Sequence, residues 1–419
     1  IDVGAERLLT REEATGSVSV ISSETTDRRS AKNIGNSIIG QGNGLISLQS
    51  GGRYADVNPT FYIRGLQTLN GKNSPLVMID GIQRDIVSIT PEEVENVIVL
   101  KDAAAVALYG YKGINGAINI VTKRGKYNTR SVKVTYDHLF TSLANKPKFV
   151  DAYTYGLAVN EARINDGLTG RYSNQELNAL RNGTMPYLYP NVNWVDETFR
   201  DNAMTNKYNI EFRGGGEKFR YYTMLDLISN KGFVKEPGAN EGYSTQDKYV
   251  KGNLRMNMDI NLTKTTDLQV NLLGVLQETS RPGAQTDLWD LVYTVPSAAF
   301  PIRDENGVWG GSDTWAGTKN PVAQSAGAAY YKNHTRSLFA DMKLTQDLSG
   351  LTKGLNAFVR ISYDNIANIY EDHSKEYVYS VNAPTWADGA SEPTVKSEIY
   401  GKDSEMGTDA KTNEFDRLL

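Results

Sequence analysis

The chain has 419 residues and no cysteine, which excludes disulfide bonds and thiolate metal sites within it. Its 45 Lys and Arg against 49 Asp and Glu give a net charge of −4, which offers no reason to expect a nucleic-acid partner. No run of about 18 apolar residues is present, so the sequence predicts no transmembrane helix, although membrane-spanning strands leave a much weaker hydropathy signal.

The first motif in chain order is a glycine-rich stretch, Gly40-Gln41-Gly42-Asn43-Gly44. A phosphate-binding loop would need a following Lys with Ser or Thr, placed between a strand and a helix. Neither feature is present, so we interpret this stretch as a turn.

The most informative segment runs from Pro75 to Lys126. Its first apolar run stops at Asp80 and Gly81, a pair that favours a tight turn. The segment therefore alternates short strands with turns. The apolar runs that predict its strands are 76–79, 97–100 and 117–121.

Two helix signals lie between these runs. Thr90 can cap a helix that starts with proline, and Glu93 completes a capping box. Asp102 can cap a second, Ala-rich helix over 103–109, with Gly110 placed to end it. From pattern alone, the segment is a small α+β domain whose purpose stays open.

The same segment resembles the plug domain of TonB-dependent outer-membrane transporters of the SusC/RagA type. The resemblance rests on an Asp-Gly turn, an acidic helix start, a Leu-Lys-Asp-Ala step, a Tyr-Gly turn and an Asn-Gly strand entry. An Ile-Arg-Gly element further upstream is shared widely among TonB-dependent receptors. The residues of this plug signature are Ile63, Arg64, Gly65, Asp80, Gly81, Lys101, Asp102, Tyr109, Gly110, Asn115 and Gly116.

The N-terminal residues Ile1, Asp2, Val3 and Gly4 are similar to the end of a TonB box, although Asp2 departs from its usual hydrophobic run. The resemblance implies that this box couples the protein to TonB. We expect three parts: residues 1–5 as the end of the box, 6–126 as the plug, and 127–419 as the N-terminal part of a β-barrel.

Beyond the plug, apolar and polar residues alternate with a period of two, which predicts strands with one apolar face each. An eighth strand is expected to begin near Thr412. The seven clear stretches are 132–140, 207–213, 219–227, 250–260, 268–276, 338–344 and 355–363.

Short and long links alternate between these strands, as in outer-membrane barrels with short periplasmic turns and long extracellular loops. The short links are 214–218, 262–265 and 347–354, and the long ones are 141–203, 231–247 and 278–336. We expect an α+β plug followed by antiparallel transmembrane β-barrel strands. Since a plugged barrel has about 22 strands, the barrel should be incomplete and the chain should continue beyond Leu419. A soluble β-sandwich with long loops remains the alternative.

Few residues suggest chemistry. The turn at Asp304 lacks the acidic ladder of an EF-hand. His138, His334 and His373 lie far apart, without the spacing of paired zinc ligands. No nucleophile–base or paired-carboxylate arrangement stands out, so we expect no metal, no cofactor and no enzymatic activity.

The predicted outward loops carry all the tryptophans: Trp194, Trp289, Trp309, Trp315 and Trp386. Their rings could stack on sugars or anchor a partner, and the first four are our candidates for that role. They could equally pack the loops together or mark the membrane interface. The sequence of the first loop also predicts two helices, 152–165 and 173–182. Ser173 and Glu176 form a capping box at the start of the second.

The resemblance implies TonB-dependent import of a large nutrient, with an oligosaccharide the expected cargo, across the bacterial outer membrane. TonB, energised through ExbB and ExbD, would add a strand to the box and pull on the plug. A SusD-like surface lipoprotein would form a lid, and outer-membrane lipid would surround the barrel. Two alternatives stay open: the same transport with peptide, siderophore or cobalamin as cargo, and a soluble secreted glycan-binding or adhesin protein.

Overall fold

The computed structural model describes residues 16–49, 51, 53–55, 57–69, 71–101, 103–235, 247–284, 287–316 and 319–418. The predicted TonB-box residues Ile1 to Gly4 and the predicted helix cap Asp102 lie outside the described residues. Two folded parts follow each other along the chain. The first is a plug with a small mixed sheet, and the second is a large antiparallel sheet.

The plug is built on a five-stranded sheet. Its strands are β1 (Val18–Ser22), β4 (Leu76–Ile79), β5 (Ile82–Gln83), β6 (Val94–Leu100) and β7 (Ala117–Thr122). Their order is β1-β6-β7-β4-β5, in which β4 and β7 are parallel and the other neighbours antiparallel. The remaining plug elements are the strand pair β2 (Leu45–Leu48) and β3 (Thr60–Ile63), and the helices α1 (Ser23–Asp27), α2 (Ile34–Ser37) and α3 (Ala103–Tyr109).

The helix predicted to begin at Thr90 is wrong in extent. Only one 3₁₀ turn forms, over Pro91–Glu93, and β6 begins directly afterwards at Val94 rather than at 97. The cap itself forms, since the Thr90 N–H and hydroxyl both donate to Glu93 Oε1. Pairing of β6 with strands on both sides overrides the local helix signal. The predicted helix over 103–109 and its end at Gly110, where φ is +60°, are confirmed.

The core of the plug is made mainly of Ile and Val side chains from its strands and from the α2 region, together with Leu45 and Phe61. Ile63 of the plug signature lies in this core with 1% of its surface exposed. Gly116 lies against it with φ of +82°, and a Cβ placed on Gly116 would come within 2.6 Å of Ile63 Cδ1. The glycine is therefore required both by its backbone conformation and by the close approach of Ile63.

The large sheet has eight strands within the described residues, which confirms the seven predicted strands and the eighth. They are β8 (Arg130–Ser142), β9 (Asn202–Gly215), β10 (Phe219–Lys231), β11 (Lys248–Asn261), β12 (Thr266–Pro282), β14 (Tyr330–Asp347), β15 (Asn356–Ser374) and β18 (Gly407–Leu418). They form an antiparallel meander in chain order. The eighth begins at Gly407, five residues before the predicted start, because it pairs with β15 over its whole length.

The links at one end of the sheet are long and structured, and this end is called the loop end below. The predicted helices of the first loop are confirmed. The third loop is shorter than predicted, because β12 continues to Pro282 and β14 already begins at Tyr330. The loop elements are α4 (Ala152–Asn165), α5 (Asn174–Asn182), α6 (Trp194–Thr198), α7 (Leu288–Thr294), β13 (Trp309–Gly311), α8 (Pro321–Gly327), β16 (Tyr379–Thr385) and β17 (Thr394–Tyr400). Among the described helices, none has the length and apolar character needed to cross a membrane.

The two faces of the large sheet differ sharply. One face exposes large apolar side chains, among them Val134, Phe140, Leu276, Val359 and Ile361, each more than 60% exposed. On β9, β10, β11, β12 and β14 the opposite face carries many charged and amide side chains, with some apolar ones such as Phe339, yet it is buried. The plug lies against this face and contacts its charged groups. The burial is thus the reverse of that in a water-soluble sheet, and it matches strands whose outer side meets lipid.

Replacing Ile63 with Asp should unfold the plug, because a buried apolar side chain becomes a buried charge at a cost of several kcal/mol. Ile46 pairs with Tyr62 on the neighbouring strand and is 49% exposed, so Ile46→Asp is the matched control. We expect protease to cleave the plug rapidly in the first variant and slowly in the second. Equal resistance of the two variants would contradict the assigned burial.

Candidate functional site

The buried polar face of the large sheet meets the plug through ion pairs, and we call this contact the gate interface. Its centre is Glu93, which follows the Thr90 cap and has no exposed surface. Arg255 on β11 donates from Nε to Glu93 Oε2, and Asn253 Nδ2 donates to Oε1 at 3.1 Å. Burial alone would raise the pKa of Glu93, but Arg255 and the Thr90 N–H outweigh it, so the pKa lies below its ordinary value. Glu93 is therefore held ionised.

The neighbouring carboxylate, Glu92, makes a second ion pair with the sheet. Lys207 Nζ on β9 lies 2.6 and 2.7 Å from its two carboxylate oxygens and also donates to Ala31 O at 3.1 Å. Tyr222 on β10 donates its hydroxyl proton to the Glu92 carbonyl at 3.0 Å. Two consecutive plug residues thus hold three neighbouring strands.

In a third contact the charges are reversed: the plug supplies the cation and the sheet supplies the carboxylates. Arg84 makes two hydrogen bonds to Asp364 on β15, at 2.9 and 2.7 Å, and one to Asp341 on β14 at 3.2 Å. Burial opposes the charge of Arg84, but both carboxylates support it, and the pKa of Arg84 lies above its ordinary value. The opposite signs of this contact and of the Glu92 and Glu93 contacts fix the orientation of the plug against the sheet.

The end of the plug, where the chain enters the large sheet, is also tied by charge. Lys123 lies 3.2 Å from Asp27 of the plug and 3.9 Å from Glu211 of β9. Arg124 Nη1 lies 2.9 Å from Asp259 Oδ1, and Arg220 Nε lies 2.7 Å from the other oxygen. The ion pairs therefore continue to the last residues of the plug.

Two buried charges at the gate interface have weaker partners. Among the described residues, the hydrogen bonds of Lys251 Nζ go to carbonyl oxygens, those of Val87 and Ser88 at 3.3 and 3.4 Å. Asp226 is fully buried and accepts one bond from Asn209 Nδ2 at 3.2 Å, while its Oδ2 has no partner within the described residues. Such groups favour water between plug and sheet, because an unpaired buried oxygen is costly.

A cavity of 540 Å³ lies between the plug and the loops, and we call it the vestibule. Arg53 of the plug spans it, lying 3.6 Å from Asp247 and 3.2 Å from Asp287 of the loops. The aromatic residues that line it are Tyr54, Phe199, Phe233, Trp289 and Tyr293. The cavity combines aromatic faces with polar groups, which is the composition of a small-molecule binding site.

The plug-signature residues do not gather at one chemical site. Most of them shape turns: Arg64, Gly65, Asp80, Gly81, Gly110 and Gly116 all have positive φ. Asp80 accepts from the Thr122 N–H at 3.0 Å and hydroxyl at 2.7 Å, and it lies 4.0 Å from Arg255. Asn115 Nδ2 donates to Lys72 O at 2.7 Å. Lys101 lies just before α3, and Tyr109 is the last residue of that helix. The signature therefore builds the plug and, at Asp80, approaches the gate interface.

The candidate tryptophans pack the loops together. Trp194 is 2% exposed and donates from Nε1 to Pro296 O at 3.0 Å. Trp289 stacks on Phe199 with 3.9 Å between ring centres, but it also reaches the vestibule. Trp309 lies under the Arg303 guanidinium, and Trp315 packs beside the Trp194 cluster. Of the four, Trp289 is best placed to touch a ligand.

Sequence reasoning missed the ion pairs of the gate interface. The alternation predicted a polar face on each strand but not its partners, because these come from plug residues more than 100 positions away. The available signal was the repeated placement of Lys, Arg, Asp and Glu on that face. In the described part of the chain, no group of three or more His, Asp and Glu side chains is arranged to hold a metal.

Comparison with known proteins agrees with this architecture. Residues 10–117 match the family model described as the TonB-dependent receptor plug domain. The chain is 26% identical over 339 residues to the TonB-dependent receptor P26 of Formosa agariphila, covering 78% of this chain and 31% of the relative. It is 29% identical over 185 residues to the TonB-dependent receptor SusC of Bacteroides thetaiotaomicron, covering 41% and 17%.

Among solved structures, the RagAB peptide importer in its open-open state superimposes with a TM-score of 0.62 at 16% identity. The match covers all of this chain and 56% of the RagAB chain. The chain spans less than a third of the length of the curated relatives that it matches. The structural likeness supports the fold: a plug followed by strands of a large barrel.

Removing either partner of the Glu93–Arg255 pair should loosen the plug, since an orphaned buried charge costs about 3–5 kcal/mol. We expect Glu93→Gln and Arg255→Met each to speed hydrogen exchange of the β6 amides. The double variant should lose less opening free energy than the sum of the losses in the two single variants. The exposed pair of Lys396 and Glu398, 2.6 Å apart, is the control, and its removal should leave β6 unchanged. Additive effects at Glu93 and Arg255 would contradict a direct pairing.

Proposed function

We propose that this chain, which belongs to the SusC/RagA type of TonB-dependent receptors, is the gated part of an importer for large nutrients in the bacterial outer membrane. The observation that carries the proposal is the sheet whose apolar face is exposed while its charged face is covered by the plug. A soluble adhesin or glycan-binding protein would not expose such a face. In this orientation the plug lies toward the periplasm and the long loops are extracellular.

The gate interface would hold the importer closed at rest. Its contacts are charged and hydrogen bonded, so water can replace them when the plug moves. Separating these contacts would therefore expose charged groups that water solvates well. That property suits a gate that must separate and return.

Energy would come from TonB, with ExbB and ExbD as its supply, through the box that ends at Ile1 to Gly4. An extended peptide adds to a sheet edge through backbone hydrogen bonds, which can transmit a pull. In the proposed division, 1–5 serves coupling, 6–126 serves gating, and 127–419 forms the barrel wall and its loops. The path needs no nucleotide or metal.

The vestibule is the proposed first contact for cargo, because it lies between the loops and the plug. Tyr54 and Arg53 bring plug residues to its wall, so a bound ligand would touch the gate itself. Aromatic faces beside Asn145 and Asn230 suit stacking and hydrogen bonding to an oligosaccharide. A SusD-like lipoprotein would cover the loops as a lid.

Peptide is the second candidate cargo. The RagAB structures are described as those of a peptide importer, and the Arg53, Asp247 and Asp287 charges of the vestibule could pair with the charged groups of a peptide. Growth on each cargo as sole carbon source distinguishes the two candidates.

Joining the plug to the sheet should stop import. Ser30 Oγ of the plug lies 2.8 Å from Asp137 Oδ2 of β8. The chain has no native cysteine that would react with a thiol crosslinker. We expect Ser30→Cys with Asp137→Cys, linked by a short thiol crosslinker, to reduce uptake of labelled cargo to the background. Each single variant, treated with the same reagent, should import normally. Undiminished uptake after complete crosslinking would refute a gate that moves against the sheet.

A strain without the gene should grow poorly on an oligosaccharide as sole carbon source and normally on peptides. Restoring the gene with Tyr293→Ala should give only partial growth, because Tyr293 lines the vestibule. Tyr187→Ala is the matched control, since this exposed loop tyrosine lies outside the vestibule lining. A growth defect confined to peptides would transfer the assignment to the second candidate.

A further inference from the structure

A shallow groove of 360 Å³ lies on the lipid-facing side of the large sheet, near the loop end, and we call it the outer groove. It crosses four neighbouring strands, β10, β11, β12 and β14. Its floor is apolar and glycine-bearing, formed by Leu227, Val250, Gly252 and Leu276. Its rim carries Glu278, His334 and Arg336.

Two outward-facing positions of this region have no side chain: Gly252 in the groove floor, and Gly274 on the same face of the sheet outside the groove lining. Gly252 lies between Leu227 and Leu276 in the register, and Gly274 lies between Leu254 and Leu338. A Cβ on Gly274 would meet nothing within 4 Å, and the atoms nearest to one on Gly252 are 4.0 Å away. Neither glycine is required by crowding or by positive φ. Glycine weakens a strand interior, so such positions often mark close approach by another molecule.

Basic side chains surround the groove on its loop side. Lys231 and Lys248 are directly opposite each other on the same outward face, an arrangement that is unfavourable without a counter-ion. Lys332 follows in the same register row, across Ser280. Glu278 is the rim carboxylate, and its Oε2 lies 3.5 Å from His334 Nδ1. Glu371 on β15 lies opposite Lys332 in that row, so three lysines stand with one carboxylate there and the loop side of the groove carries a net positive charge.

The other end of the same strands lacks this feature. There, the outermost paired row of β12, β14 and β15 is Thr266, Gln346 and Ala357, which carries no charge. About 40 Å of strand separates the Lys248 row from the Ile260 row, at about 3.3 Å per residue. With a strand tilt near 45°, this stretch matches an apolar band of about 25 Å. The lysines therefore mark one boundary of the band, at the loop end.

We propose that the outer groove binds a phosphate-bearing lipid of the outer leaflet. The phosphates would lie among Lys231, Lys248 and Lys332, and an acyl chain would lie over Gly252 and Gly274. The lysines on the loop side of the groove and the absent side chains at Gly252 and Gly274 both fit one such molecule. Snorkelling of lysine stems accounts for single lysines at an interface, but not for an opposed pair beside an apolar notch. The choice of leaflet rests on the proposed function, which places the loops outside.

The charge test uses the complete gene product in neutral detergent, with a bisphosphorylated lipid A as probe and native mass spectrometry as readout. Lys231→Gln, Lys248→Gln and Lys332→Gln together should weaken binding at least about tenfold, because lysines near anionic lipid act additively. Lipid A without phosphates should bind weakly to both proteins. Equal binding of the two lipids, or wild-type affinity in the triple variant, would overturn the proposal.

The groove test fills the floor without touching charge. Gly252→Leu with Gly274→Leu should keep the melting temperature, since both side chains enter open space, and should weaken lipid A binding. Ala357→Leu, on the same face at the far end of the sheet, should bind as the wild type does. Phosphatidylglycerol is tested as a further lipid. If it bound as tightly as lipid A or more tightly, the outer-leaflet assignment would be overturned. Binding is measured without TonB or cargo, so a failure here is distinct from a failure of import.

Discussion

The large sheet buries its charged face and exposes its apolar one, and this inversion controls the rest of the molecule. A buried charge must find an opposite charge or hydrogen-bonding groups, or the fold loses several kcal/mol. The plug supplies those groups with Glu92, Glu93 and Arg84, each facing side chains from strands of the sheet. The plug therefore has a polar exterior toward the sheet and an apolar core within, which lets it behave as a separate body inside the wall.

Ion pairs are not the strongest adhesive available to such an interface. A well-packed apolar contact of the same volume is often as stable as a buried ion pair or more so. Charged contacts instead fix register, since each carboxylate accepts only the matching cation. They also separate into groups that water solvates well. Asp226 Oδ2, which has no hydrogen-bond partner in the part of the chain that the structure describes, and the carbonyl-bound Lys251 extend this property, because both favour water at the contact.

The sequence was sufficient to predict the strands of the large sheet, but not the plug residues that contact them. Period-two alternation located the strands of the large sheet and their apolar faces, since one side of each strand meets a single environment. It could not pair Arg255 with Glu93, because 162 residues separate them and no local pattern records the contact. The same limit explains the misjudged helix at Thr90, where pairing of β6 on both sides overrode a valid capping box. β16 and β17 were missed because a hairpin within a loop shows neither a long alternation nor a clear apolar face.

The position of β1 links the N-terminus of the described plug to the gate interface. β1 is the edge strand of the plug sheet and pairs only with β6, from Val18 opposite Leu100 to Ser22 opposite Asn96. A pull on the chain before Val18 loads the Leu100 end of this pair first and reaches the Asn96 end last. Glu93 lies three residues from Asn96, directly before β6. Under the proposed function, force from TonB would therefore cross five residue pairs of one strand before it reaches the Arg255 contact. The gate would open after its edge strand has begun to separate, because the ion pairs lie at the far end of that path.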